Sequence, residues 1–207
     1  MSREAARGRL VDRLVETGRI DDGRVADALR AVPRHEFVPE SVRGQAYRDR
    51  PLSIGEGQTV SAPHMVAVMC DLLDLDRGER VLEIGTGCGY HAAVTAELVG
   101  PGNVYSVEYH DALAEQAHDR LDRLEYDVHV QAGDGREGWP EHAPFDACYL
   151  TCAAREVPDA LFEQVRDCGR LLAPVGDQRQ TLYLFDHDGD GWTRTDHGGV
   201  RFVPLLG

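Results

Sequence analysis

The residues best suited to chemistry begin at Arg80, in the stretch RVLEIGTGCGY. Val81, Leu82 and Ile84 make a short apolar run that reads as a buried strand. Gly85, Gly87 and Gly89 then permit a tight turn into a helical segment over Tyr90–Val99. A strand that stops on glycines ahead of a helix lets backbone N–H groups and the helix N-terminus approach a ligand closely. The dinucleotide fingerprint needs Gly at position 90, where Tyr stands. The spacing, with Glu83 ahead of the three glycines, therefore points to another nucleotide-type cofactor, with a plain tight turn as the alternative. Glu108 ends a second apolar run 23 positions after Gly85. There it could accept both hydroxyls of a ribose, or simply be a solvated strand-end carboxylate. Asp134 and Gly135, in AGDG at the end of a third run, are a further candidate pair or an ordinary turn.

The elements that must position these groups follow from periodicity. From Arg80 onward strands and helices alternate: Val81–Ile84, helix Tyr90–Val99, Val104–Glu108, helix Asp111–Leu124, Val128–Gln131, Phe145–Thr151, helix Leu161–Val165 ended by Gly169, and Leu171–Pro174. Parallel neighbours need crossover connections, so this rhythm implies a parallel sheet with the candidate ligand groups at its carboxyl ends. Thr181–Phe185 and Val200–Leu205 are strand-like and flank the turn-rich DHDGDG, which suggests antiparallel strands closing one edge. That run superficially resembles a calcium loop, but His197 stands where the loop needs Glu, so a hairpin turn is expected and no metal site. The fold class read here is α/β, a Rossmann-like doubly wound and mostly parallel sheet. Residues 1–50 form a helical extension packed on a 51–207 domain. In that extension Leu10, Val11, Leu14 and Val15 give one apolar face. Asp21 or Asp22 caps a second helix that stops at Pro33, and PRHEFVPE follows as an extended or turn segment. Pro51–Pro63 has no helical period and leads into an amphipathic helix over His64–Leu73.

Composition sets the outer bounds. The chain has 207 residues, 42% of them hydrophobic, enough for one well-packed unit. No run of apolar residues approaches a membrane span and no signal segment opens the chain, so a cytoplasmic protein is expected. The 36 acidic residues outweigh 22 basic ones, all of them Arg, for a net charge of −14. Such a surface repels polyanions and argues against nucleic acid as a partner. A host adapted to high salt explains this charge, with an acidic surface tuned to a particular partner as the alternative. Five cysteines without a C-x-x-C pair argue for reduced thiols rather than zinc or disulfides.

The stretch VLEIGTGCGY (81–90), with YSVE (105–108) and AGDG, resembles the first motifs of class I S-adenosylmethionine (SAM)-dependent methyltransferases. With VPRHEFVP (32–39), IGEGQTVSAPHM (54–65), FDACYLTCAA (145–154), GRLLAPVG (169–176) and RFVPL (201–205), nearly the whole chain resembles the protein-L-isoaspartate O-methyltransferase family. QTVSAPHM is its most specific part. The resemblance implies that Glu83, Gly85, Gly87, Gly89, Glu108, Asp134 and Gly135 hold SAM, with Asp134 at the adenine amine. It also implies that Thr59, Val60 and Ser61 cradle an isoaspartyl carboxylate. Ser61 matches the position assigned as active-site residue, and the backbone around Val203 would touch the substrate. Partners would be isoaspartyl proteins and peptides, bound by a monomer from a halophilic archaeon. Two departures stand out: Cys88 replaces a common Ser, and Cys168 falls where a turn usually has Gly, which questions a left-handed conformation there.

The implied chemistry suits the residue types. A carboxylate is already ionised at pH 7, so attack on a sulfonium methyl needs alignment and hydroxyl or backbone donors rather than a base. Ser61 could equally cap the helix at His64, and His64 could be a general base or a packing residue. Two other functions are compatible with parts of the pattern: a SAM methyltransferase for a small molecule or RNA, and a non-catalytic isoaspartyl-binding module. The hydroxyl loop and acidic surface weigh against the first, and the intact cofactor loop against the second.

Overall fold

A computed structural model describes residues 2–207. Its centre is a seven-stranded sheet. The strands are β3 (Val81–Ile84), β4 (Val104–Glu108), β5 (Val128–Ala132), β6 (Phe145–Leu150), β7 (Val165–Gly176), β8 (Gln180–His187) and β9 (Trp192–Val200), in the spatial order β5-β4-β3-β6-β7-β8-β9. Pairing is parallel from β5 through β7 and antiparallel from β7 to β9. Chain order reverses between β3 and β6, so the sheet has its topological switch beside the end of β3, the place where open α/β sheets bind ligands. A separate antiparallel hairpin, β1 (Leu52–Gly55) and β2 (Gln58–Val60), precedes the sheet.

The helices are α1 (Arg3–Glu16), α2 (Gly23–Ala31), the single turns α3 (Arg34–Phe37) and α4 (Glu40–Arg43), α5 (Pro63–Leu73), α6 (Tyr90–Val99), α7 (Asp111–Arg123) and α8 (Asp159–Glu163). Burial explains their placement. Leu10, Val11 and Leu14 of α1 and Val25 and Leu29 of α2 join Val66 and Met69 of α5 and Ala92 and Val94 of α6 in one apolar cluster. Leu82, Ile84, Phe145 and Leu161 belong to a second cluster on the other face of the sheet. Alternation along β3 decides the sorting, because successive side chains point to opposite faces. Asp22 caps α2 by accepting from the Arg24 N–H at 2.8 Å.

Several expectations need correction. PRHEFVPE, read as an extended or turn segment, takes the second form as the single turn α3, with Arg34 and Phe37 buried by it. The helix expected at Leu161–Val165 lies earlier, over Asp159–Glu163. Gly169 sits inside the long strand β7, where an added Cβ would meet the carbonyls of Arg166 and Asp146 at 2.8 Å. Its neighbour Cys168 does adopt the left-handed region, at φ 60°, so a residue with a Cβ bears the geometry that favours glycine. The final strand is Trp192–Val200, not Val200–Leu205, since β8 turns back through Asp188–Gly191 and pairs at once. RFVPL instead runs as an extended tail joined to the residues after β6: Ala153 N–H donates to the Val203 carbonyl and Leu205 N–H to the Ala153 carbonyl, both at 2.8 Å.

Candidate active site

At the carboxyl ends of β3, β4 and β6 lies a cleft of about 720 Å³, its open mouth included. One wall is the glycine turn Gly85–Cys88 with Tyr90 and His91 at the start of α6. A second is Glu108, Tyr109 and His110 at the end of β4. The hairpin residues Ile54 and Gln58–Ser61 cover it, and Gly135, Thr151, Cys152 and the tail residues Val203–Leu206 complete the lining.

Each glycine of the turn has its own reason. Gly85 has φ 98°, and a Cβ there would collide with the Thr151 hydroxyl. Gly87 has φ 55° and faces Ile54, whose Cδ1 an added Cβ would meet at 3.1 Å. Gly89 does not line the cleft. It starts α6 at φ 85°, where a Cβ would press on Leu121 of α7. Glu108 ties the turn to β4. One carboxylate oxygen accepts the Gly87 N–H at 2.8 Å and the other the His110 N–H at 3.0 Å. A carboxylate has about four acceptor positions, so roughly half of its capacity remains for a ligand. Together with the bare backbone at Gly87 this fits a nucleoside: a diol acceptor beside a surface without side chains.

Glu83 is placed otherwise than expected. It shares the face of β3 that packs against α6, is fully buried and does not reach the cleft. Its carboxyl is held by the hydroxyls of Tyr149, at 2.8 Å, and Ser106. Ser106 in turn contacts the Thr86 hydroxyl at 2.6 Å, so Glu83 braces the glycine turn from beneath. Burial raises its pKa to about 8. Asp134 also stands outside the lining. It pairs with Arg136 at 2.5 Å, which lowers its pKa, and it accepts the Arg136 N–H at 2.9 Å; only Gly135 faces the cleft. Strand-end position alone could not tell an acid aimed at a ligand from one paired along its own turn.

On the opposite side, Thr59, Val60 and Ser61 line the cleft together. Ser61 is not the helix cap. Ala62 holds that position, and Asp49 accepts from the His64 N–H at 3.0 Å and from His64 Nδ1 at 2.9 Å. The Ser61 hydroxyl has no partner among the described residues. Val203 also lines the cleft, with its carbonyl accepting from the Ala153 N–H. Gln58 Nε2 reaches His110 Nε2 at 3.4 Å and so links the hairpin to the end of β4. Thr151, Tyr109 and His110 were missed in the sequence; each lies just past the end of a parallel strand, which is the signal that would have found it.

A family model, protein-L-isoaspartate(D-aspartate) O-methyltransferase, matches residues 5–207. The chain belongs to the protein-L-isoaspartate(D-aspartate) O-methyltransferase family. A family member from Archaeoglobus fulgidus, protein-L-isoaspartate O-methyltransferase 2, is 52% identical over all of this chain and 95% of its own. The protein-L-isoaspartate O-methyltransferase from Methanopyrus kandleri is 52% identical over 98% of this chain and 92% of its own. A solved protein-L-isoaspartate O-methyltransferase superposes with a TM-score of 0.90 at 33% identity, covering 97% of this chain and 66% of that one. A Plasmodium falciparum structure assigned to the same family, in complex with S-adenosyl-L-homocysteine, superposes at 0.86 with 26% identity, over 97% and 98% of the two chains. The family's α/β architecture, a mostly parallel sheet with antiparallel C-terminal strands, is the one described above.

Proposed function

We propose that the cleft binds SAM on its glycine-turn side and an isoaspartyl residue under the hairpin. The protein is a protein-L-isoaspartate O-methyltransferase that repairs damaged proteins by esterifying the free α-carboxylate of L-isoaspartyl residues. The observation that carries the reading is the meeting, in one cleft, of Gly87 and Glu108 with the hydroxyl-bearing Thr59–Ser61 segment. Bound SAM supplies a methyl group on a sulfonium, an electrophile that a carboxylate attacks directly. Gly85, Gly87 and Gly135 offer backbone surface to it, and Glu108 accepts from the ribose. Gly89 and Glu83 act on SAM through the turn they support. On this reading Asp134 would take the adenine amine, a contact that requires its carboxylate to turn from Arg136. Thr59, Val60 and Ser61 orient the substrate carboxylate with hydroxyl and backbone donors, and Val203 borders the peptide. No residue has to hold or move a proton, because the attacking oxygen is already ionised.

The same reading makes the enzyme a cytoplasmic monomer that does not engage nucleic acid and tolerates high salt through its −14 charge. The 1–50 extension supports the 51–207 domain rather than acting apart from it, in keeping with the apolar cluster the two share. No helix among the described residues is long and apolar enough to cross a membrane. Incubation with labelled SAM and an isoaspartyl peptide tests the reading: wild type should yield a peptide methyl ester, and Ser61→Ala much less. Absence of label from the peptide would overturn it.

A further inference from the structure

Arg34 is among the largest fully buried side chains, at 0% exposure, and no carboxylate pairs with it among the described residues. Asp49, a carboxylate whose charge acts on Arg34, is hydrogen-bonded to His64 instead. Burial accordingly lowers the pKa of Arg34. A buried charge without a counter-ion is costly, and an apolar side chain could fill the same space. What an apolar side chain could not do is reach three separate carbonyls. Arg34 Nε donates to Ala46 at 2.9 Å, Nη1 to Ser61 at 2.8 Å and Nη2 to Arg50 at 3.3 Å. The guanidinium also lies over the Tyr90 ring, 5.0 Å from its centroid, and Tyr90 is both the first residue of α6 and part of the cleft wall.

These contacts converge on one task. Ala46 and Arg50 lie just before the β1–β2 hairpin and Ser61 just after it, so one rigid fork ties together both ends of the segment that covers the cleft. Through Tyr90 the same group fixes that segment against the start of the helix that follows the glycine turn. We propose that Arg34 is a positioning residue for methyl transfer, which sets the Ser61 backbone, and with it the substrate carboxylate, in line with the SAM side of the cleft. The inference rests on the functional reading above and adds a reason for the N-terminal segment to be present.

The test uses Arg34→Met, which removes fork and charge, and Arg34→Lys, which keeps a charge but cannot span three carbonyls. S-adenosylhomocysteine affinity and stoichiometry are measured by calorimetry, and methylation is followed with an isoaspartyl peptide. Both variants should bind S-adenosylhomocysteine at full stoichiometry with affinity near wild type. For the peptide, kcat/KM should fall about 100-fold, the scale expected for a displacement of roughly 1 Å. Arg34→Lys should remain at least about tenfold below wild type. A merely structural role would lower stoichiometry and activity in proportion and leave the peptide KM of the folded fraction unchanged; that result, or wild-type kcat/KM in both variants, overturns the inference. Should neither variant fold, NMR of wild type decides. The Arg34 Nε–H signal should shift when isoaspartyl peptide is added to the S-adenosylhomocysteine complex, and a signal that stays in place overturns the role. A wild type inactive on the peptide overturns the functional reading and this inference with it, whereas an active wild type with unaffected variants removes the inference alone.

Discussion

Replacing Glu83 by Gln should change how stability depends on pH more than it changes stability itself. The carboxyl is fully buried beneath the glycine turn, and burial raises its pKa from an ordinary 4.5 to about 8. In the unfolded chain it ionises at the ordinary value. The stability tied to the neutral acid is therefore complete below about pH 4.5, declines as pH rises, and is lost once pH passes 8. The pKa difference of about 3.5 corresponds to an order of 5 kcal/mol in total, of which about 2 kcal/mol falls between pH 6 and pH 8. For a chain of this length each kcal/mol moves Tm by roughly 2–4 °C, so wild type should lose about 4–8 °C across that interval. Glu83→Gln is neutral at every pH and keeps an acceptor for Tyr149 and Ser106, so its curve should lack this slope. His91, whose pKa burial lowers to about 3, is common to both proteins and cancels in the difference. Melts from pH 6 to pH 9 at fixed salt provide the assay. Parallel curves would refute the reasoning and show that the two hydroxyls keep Glu83 ionised despite its burial.

Other perturbations read different parts of the site. Gly87→Val places a branched side chain at φ 55° against Ile54 and should abolish most S-adenosylhomocysteine binding by calorimetry; unchanged affinity in a folded variant would remove the turn from the cofactor site. Ser61→Ala deletes a hydrogen bond to a charged carboxylate, about 1.5–3 kcal/mol, and should slow peptide methylation by roughly ten- to 150-fold with cofactor affinity intact. His64→Gln should be much milder, since no base is required; an inactive variant would reinstate His64 as one. Raising KCl from about 0.1 M to about 2 M shortens the Debye length from about 10 Å to below 3 Å and should raise Tm, whereas a flat response would leave the −14 charge unrelated to salt.

The alternating core was legible because hydrophobic period changes cleanly at each element between Val81 and Leu150, and the glycines mark the turn that matters. Tertiary choices were less so. Glu83 reads as a cofactor acid until the pleat of β3 is known, for one step of alternation sends it toward α6 instead of the cleft. Asp134 carries no mark in the sequence of its pairing with Arg136 two positions on. Val200–Leu205 has the composition of a strand, but the hairpin at Asp188–Gly191 commits the preceding residues to β8 first. Arg34 was hidden for a different reason. Its partners are backbone carbonyls of Ala46, Arg50 and Ser61, and a carbonyl has no signature in residue type. The Asp49–His64 pair was equally unreadable, because Asp49 reaches His64 across the hairpin rather than along the helix.

The central claim is that Thr59–Ser61 holds a carboxylate in a position only an isoaspartyl residue can supply. In such a residue the main chain runs through the side-chain carbonyl and the free α-carboxylate stands on a stem one methylene shorter than in aspartate. The most direct measurement is therefore the ratio of kcat/KM for two peptides of identical sequence, one isoaspartyl and one aspartyl, with labelled SAM at saturation. Misalignment of about 1 Å in the aspartyl peptide predicts a ratio of roughly 100 or more in favour of the isoaspartyl form. Equal rates on the two peptides would contradict the account.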